Sequence, residues 1–326
     1  MHKLEETSTT LAIAGAIVAY SICSSTLLLA NKIAILYVPS PTAISFIQVL
    51  SSTIIVYAIQ QLKLDKVDTF EWPKLKAYLL YIVFFFSSIY ANMKALAASN
   101  VETVIVFRAC TPIAVCIIEY FFMNRELPSI RSSISLFTVA FGAILYCLSD
   151  SQLQLEGISS YYWVISYFVL ITLEMTYGKT LTSSVKMDSV WGPVLYCNTL
   201  SIVPFFLMGS YEGNFFEQIA AVPKLGMYGL SVIIFSCIVG TLIGYTGWLC
   251  RGMLSATTFT LVGVVNKFVT VLLNVMIWDK HSTGFGIVAV SICLIAGVFY
   301  EQAPKRPEKE IILAKDEVTK LIQEKA

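Results

Sequence analysis

Apolar residues in this chain arrive in blocks of about twenty, set apart by short polar stretches, rather than recurring at every second or fourth position. Ten blocks can be marked: 9–31, 41–62, 77–98, 102–123, 131–149, 158–181, 190–209, 226–249, 256–278 and 283–300. As a helix rising ~1.5 Å per residue, a run of about 20 residues crosses the ~30 Å hydrocarbon core of a bilayer. A helix also satisfies its own backbone there, where water cannot. The pattern predicts an all-α integral membrane protein of ten transmembrane helices within residues 1–302, then a charged tail, 303–326. The connectors are too short to hold a soluble domain.

Ten is even, so both termini fall on one side of the membrane. Placing them in the cytosol puts sixteen Lys and Arg residues on that face, Arg251 among them, with Arg131 and Lys179 at the cytosolic ends of their spans. Three remain on the opposite face, namely Lys32, Lys224 and Lys280. The excess of basic residues in cytosolic loops selects this orientation. Two stretches also echo each other at an offset of about 155 residues, 100–146 and 255–301. Each opens on polar residues, carries cations mid-helix, ends in a charged turn and closes with a glycine-containing span. Halves of five helices, about 9–149 and 158–300, insert with opposite topology because five is odd. That predicts two inverted five-helix repeats, an arrangement that binds its ligand near the bilayer midplane. In the tail, Ile311, Ala314, Val318, Leu321 and Ile322 have the spacing of a short amphipathic helix that can lie on the cytosolic membrane face.

Apart from Arg131 and Lys179 at cytosolic span ends, the spans contain three cations, Lys94, Arg108 and Lys267, and the acids Glu102, Glu119 and Glu174. Lys267 closes the stretch Gly263-Val264-Val265-Asn266-Lys267, midway along its span. An ammonium at that depth costs at least ~2.5–3.5 kcal/mol on insertion scales, so it faces a partner or a water-filled cavity. Gly263 leaves backbone open to a ligand and Asn266 offers an amide that both gives and accepts. Together they make a clamp for an anionic ligand; the plainer reading pairs Lys267 with a buried glutamate to hold the bundle. Arg108 falls within about one turn of the equivalent point of the first half, with Glu102 or Glu119 as candidate structural partners. Tyr196 and Asn198, a few residues into the seventh span, can reach a cavity from its cytosolic half. Taken alone they read as a belt aromatic and an interhelical hydrogen bond.

Composition narrows the functions. With 57% apolar residues, 13% charged and a mean hydropathy of +0.75, the chain is no ordinary soluble domain. A net charge of +1 gives no reason to expect a nucleic-acid partner. Eight cysteines lie scattered through apolar segments without a CxxC pair, and neither His2 nor His281 sits in a metal-spaced cluster. No cofactor or metal is expected. The polar, acidic first ten residues do not read as a cleavable signal peptide.

Four stretches resemble the nucleotide-sugar transporters of the drug/metabolite transporter superfamily, on the GDP-mannose/GDP-sugar branch. "LLLANKIAI" (27–35) is similar to the Asn-Lys ending of the family's first span, and "VFRACTP" with Glu119 to its fourth. "LYCNTLS" (195–201) resembles the Phe-Tyr-Asn-Asn motif of the seventh span, and "GVVNK" (263–267) the Gly-Ala-Leu-Asn-Lys motif of the ninth. The resemblance implies that Tyr196 and Asn198 contact the nucleobase while Gly263, Asn266 and Lys267 contact phosphates and sugar. It implies a Golgi antiporter that takes in a GDP-sugar, returns GMP and works by alternating access. Its partners would be the nucleotide sugar, the nucleoside monophosphate and membrane lipid, with a homodimer open. Cys197 departs from the pattern, standing where the first asparagine is expected, and a thiol cannot replace an amide's donor and acceptor. A UDP-sugar:UMP exchanger or another organophosphate translocator of the superfamily is therefore the alternative. An intramembrane transferase would need a His/Asp or multi-carboxylate cluster near a membrane face, which the sequence lacks. A channel would need a repeated selectivity ring, also lacking.

Overall fold

The structure, a computed structural model, describes residues 2–122, 126–149, 161–253, 262, 263, 266 and 284–299. The described residues form α1 (His2–Tyr37), α2 (Pro41–Gln61), α3 (Trp72–Ala98), α4 (Val101–Ala109), α5 (Thr111–Phe122) and α6 (Ile130–Ser149). The chain continues with α7 (Tyr162–Ser184), α8 (Trp191–Tyr211), the short α9 (Phe215–Ala221), α10 (Met227–Met253) and α11 (Gly284–Val298). No strand occurs among them. Among the described residues, seven stretches are long and apolar enough to cross a membrane: Leu11–Tyr37, α2, α3, Val101–Phe122, α6, α8 and α10. The predicted ninth span lies outside the described residues except for Val262, Gly263 and Asn266, and the tail from 301 onward lies wholly outside them.

Local chemistry sets several helix ends. Ser40 caps α2, its hydroxyl accepting from the Ala43 N–H, with Pro41 in the first turn where no N–H is needed. The fourth apolar run breaks into α4 and α5 at Cys110. Pro112 explains the break, since it has no N–H for the Arg108 carbonyl four residues back. Two other ends differ from the apolar runs. α1 continues past residue 31 to Tyr37, and α10 continues past residue 249 to Met253, so Lys32 and Arg251 belong to helices rather than to connectors.

The helices pack chiefly in four pairs: α1 on α10, α3 on α7, α2 on α8 and α6 on α11. On α6 the two faces separate cleanly. Ile130, Ile134, Phe137, Phe141, Ile144 and Leu148 stand exposed at three- and four-residue spacing, the arrangement of a lipid-facing stripe. Ser132, Ser135, Val139, Gly142 and Tyr146 are buried on the other face. There a Cβ on Gly142 would meet Cys293 Sγ at 2.8 Å, so α6 and α11 approach as closely as small residues allow. Ser135 Oγ donates to the Ala296 carbonyl (2.6 Å) and Cys293 Sγ to that of Val139 (3.3 Å) across the same seam.

Candidate functional site

The break at Cys110 places Arg108 in the last turn of α4, where a cation faces the negative end of the helix dipole. Its Nη1 donates to Tyr167 Oη on α7 (2.9 Å), and Tyr20 on α1 and Glu174 on α7 interact with it electrostatically. Six residues apart on one helix, the Arg108 and Glu102 side chains leave on different faces, and buried Glu102 acts on Lys32. The Glu119 side chain lies outside the described residues.

Glu174 is the centre of a second set of contacts. Tyr81 Oη donates to its Oε1 (3.1 Å) and Ser88 Oγ to its Oε2 (2.5 Å), both from α3. Arg251 hydrogen-bonds Tyr81, interacts electrostatically with Glu174 and Tyr20, and lies over the Trp248 ring at 4.9 Å. Sequence reasoning placed Arg251 in a cytosolic loop; α10 carries it into the helix packing, where its guanidinium lies close to Gly178 of α7. The interior therefore brings together two arginines, one glutamate and three tyrosines from α1, α3, α4, α7 and α10. A hydropathy pattern marks each of these residues but not their meeting.

The other expected site residues spread around this centre. Tyr196 is fully buried: its hydroxyl accepts from the Glu71 N–H (2.7 Å) and donates to the Thr69 carbonyl (2.8 Å). Its ring packs on Phe70 and Tyr78 at 4.7 and 5.2 Å between centroids. Asn198 is half-buried and donates to the Val194 carbonyl of its own helix (2.8 Å). Two residues apart on α8, Tyr196 and Asn198 leave by different faces, so the structure does not bring them together. Cys197, between them, is buried and interacts electrostatically with Glu174 and Arg251. Gly263 is half-buried, Asn266 is buried, and the Asn266 carbonyl accepts from Ser25 Oγ of α1 (2.9 Å). Lys267 lies outside the described residues. Lys94 and Lys32 have structural partners away from the centre. Lys94 pairs with Glu212 at 2.6 Å, and Lys32 gives its ammonium protons to the carbonyls of Leu96 and Ser99 at the end of α3.

One connector is locked with unusual care. Asp68, between α2 and α3, accepts the N–H groups of Asp188 and Ser189 (both 2.9 Å), the Ser189 hydroxyl (2.8 Å) and Lys74 Nζ (3.4 Å). Asp65 Oδ2 accepts from Trp191 Nε1 (3.0 Å), and a Cβ on Gly192 would lie 2.5 Å from Asp68 Oδ2. Burial works to raise the Asp68 carboxyl, but these donors outweigh it and hold it below the ordinary value of 3.8. At Glu212 burial likewise opposes ionisation, and hydrogen bonds led by Lys94 hold the carboxyl low.

Apolar spanning helices, lipid-facing stripes and a charged, hydrogen-bonded interior define an α-helical integral membrane protein. No protein-family model matches the chain. It is 38% identical to GDP-fucose transporter 1 of Arabidopsis thaliana, over 89% of this chain and 85% of that protein. It is 34% identical to the GDP-mannose transporter GONST3 of the same plant, over 90% and 79%. UDP-galactose/UDP-glucose transporter 7, also from A. thaliana, is 22% identical over 94% of both. A solved crystal structure shares the fold, with a TM-score of 0.56 and 16% identity over 90% of this chain and 97% of that one. The chain belongs to the nucleotide-sugar transporters, on the branch of the GDP-fucose and GDP-mannose transporters, a family of carriers rather than enzymes.

Proposed function

We propose that the protein carries a GDP-sugar into the Golgi lumen in exchange for GMP, by alternating access between two inverted five-helix halves. The observation that carries this reading is the 38% identity to a GDP-fucose transporter across most of both chains. The interior supports it chemically. A nucleoside diphosphate sugar brings two negative charges into the bilayer, and Arg108 and Arg251 are the cations that meet there among the described residues. Gly263, Asn266 and Lys267 supply the remaining phosphate and sugar contacts, and Asn198, with Tyr196 once its loop releases it, contacts the base.

The helix pairs support an inverted repeat, counting ten spans with the ninth at 256–278. Exchanging the halves turns the first-with-eighth contact (α1 on α10) into the sixth-with-third (α7 on α3). The same exchange maps α2 on α8 and α6 on α11 onto themselves. Both termini face the cytosol in this arrangement. A homodimer within the bilayer is compatible with it.

Proteoliposomes loaded with GMP test the reading. They should take up GDP-sugar far faster than empty ones. Uptake that follows a pH gradient and ignores internal GMP would make the protein a proton symporter. Stronger stimulation by UMP than by GMP would favour the UDP-sugar alternative, which the likeness to a UDP-sugar carrier keeps in view.

A further inference from the structure

We propose that Glu174 reads the guanine base, taking over the recognition that the thiol of Cys197 cannot give. The proposal rests on the GDP-sugar reading above and names the residue behind its selectivity. Glu174 is the thirteenth of the 23 residues of α7, so it lies ~15–18 Å from either helix end, which is midplane depth on the ten-span count of the proposed function. It is 7% exposed. A carboxylate at that depth without a use costs several kcal/mol, so its retention asks for a function.

The geometry leaves the carboxylate able to act. Its protein hydrogen bonds come from two hydroxyls of α3, Tyr81 and Ser88, seven residues and two turns apart. These fix the plane of the group and use about two of its roughly four lone-pair sites. Arg251 and Arg108 balance its charge through electrostatic interaction, while Arg251 spends a hydrogen bond on Tyr81. Cys197 of α8 packs in the same buried cluster as Tyr81 and interacts electrostatically with Glu174 and Arg251. An acceptor-only group thus shares one buried region, through Tyr81, with the α8 position that carries no amide.

Guanine is the common base that suits such an acceptor. Its N1–H and N2–H₂ are adjacent donors, which one carboxylate accepts through two parallel, charge-assisted hydrogen bonds. Uracil offers a single N–H between two carbonyls, and those carbonyls would be pressed against a negative charge. Adenine presents no such donor pair. A site built around specific donors rejects analogues lacking them far better than an apolar surface does.

The test is a competition series on the purified, full-length protein with GMP, IMP, XMP and UMP. IMP lacks the N2 amine, and XMP has a carbonyl in its place. For the unmodified protein IMP should bind about 10- to 100-fold more weakly than GMP, the loss of one hydrogen bond to a charged group. In Glu174→Gln the amide carbonyl still accepts from N1–H but its NH₂ now opposes the N2 amine. That variant should lose its preference for GMP over IMP and gain binding of XMP, whose carbonyl accepts from the new NH₂. Damage to folding cannot produce that gain. Equal binding of GMP and IMP by the unmodified protein overturns the proposal without using any variant. So does a folded Glu174→Gln that weakens all four nucleotides alike, which would make Glu174 a tie between α3 and α7. A preference for UMP over GMP would overturn the GDP-sugar reading itself, whereas GMP ahead of UMP with IMP equal to GMP removes only the role of Glu174.

Discussion

Asp68→Asn changes one oxygen to an NH₂ and leaves the shape of the side chain intact. In the parent, Oδ2 accepts two donors from Ser189, its N–H and its hydroxyl, and Oδ1 accepts from Asp188 and Lys74. However the amide turns, one of these pairs then meets another donor. Each hydrogen bond to a charged acceptor is worth ~1.5–3 kcal/mol, so two lost bonds cost about 3–6 kcal/mol. Apparent Tm in detergent, with parent and variant scanned at one rate, measures the loss. A pH series adds a signature specific to this group. The folded carboxyl is held below its ordinary value of 3.8, so its stabilisation is fully present above the unfolded pKa and disappears as pH falls through the folded one. The parent's advantage over Asp68→Asn should therefore be constant from neutral pH to about 5 and shrink below about 4. Equal Tm values at pH 7, or a gap that persists at the lowest pH the fold survives, would refute the reasoning.

Other outcomes follow from contacts already described. Lys94→Ala and Glu212→Gln should each destabilise, with a coupling of about 1–2 kcal/mol in a double-mutant cycle; additive effects would show that the 2.6 Å pair contributes nothing of its own. Gly142→Leu should lower the Tm by overpacking worth ~1–3 kcal/mol. Cys293→Ala should recover only part of that loss, because the Ala289 carbonyl also stands 3.2 Å from the new Cβ. Lys267→Ala should leave the fold intact and abolish exchange in proteoliposomes; transport at the parent rate would make the lysine structural.

Seven of the spanning helices were legible among the described residues because hydrocarbon thickness leaves one solution for a run of twenty apolar residues; α7 and α11, at the sixth and tenth runs, are not among those seven. Their ends were less so. Counting apolar residues stops at the first charge, yet Lys32 stays helical by capping the open carbonyls of α3, and Arg251 by finding Tyr81, Glu174 and Trp248. The break beside Arg108 was not read from the single run 102–123, although Pro112 accounts for it. Spacing could not show that loop 62–71 seals Tyr196, a contact more than 120 residues distant in sequence. Nor could it show that Tyr81, Ser88, Glu174 and Arg251 meet, since each belongs to an unremarkable apolar run and the choice of partner lies in the packing of α3, α7 and α10.

The Asp68 clamp and the Lys94–Glu212 pair differ in how well water and ions can reach them. Lys74 of the Asp68 clamp is 16% exposed and Asp68 itself 1%, whereas Lys94 and Glu212 are 23% and 14% exposed at the other end of α3. Mobile ions screen an accessible charge pair more than a sheltered one. Raising the ionic strength thus loosens the Lys94–Glu212 end first and leaves the Asp68 end nearly as it was. If the halves rock about the centre, salt concentration becomes a lever on which face rests open, without any ligand and without touching a residue that binds one.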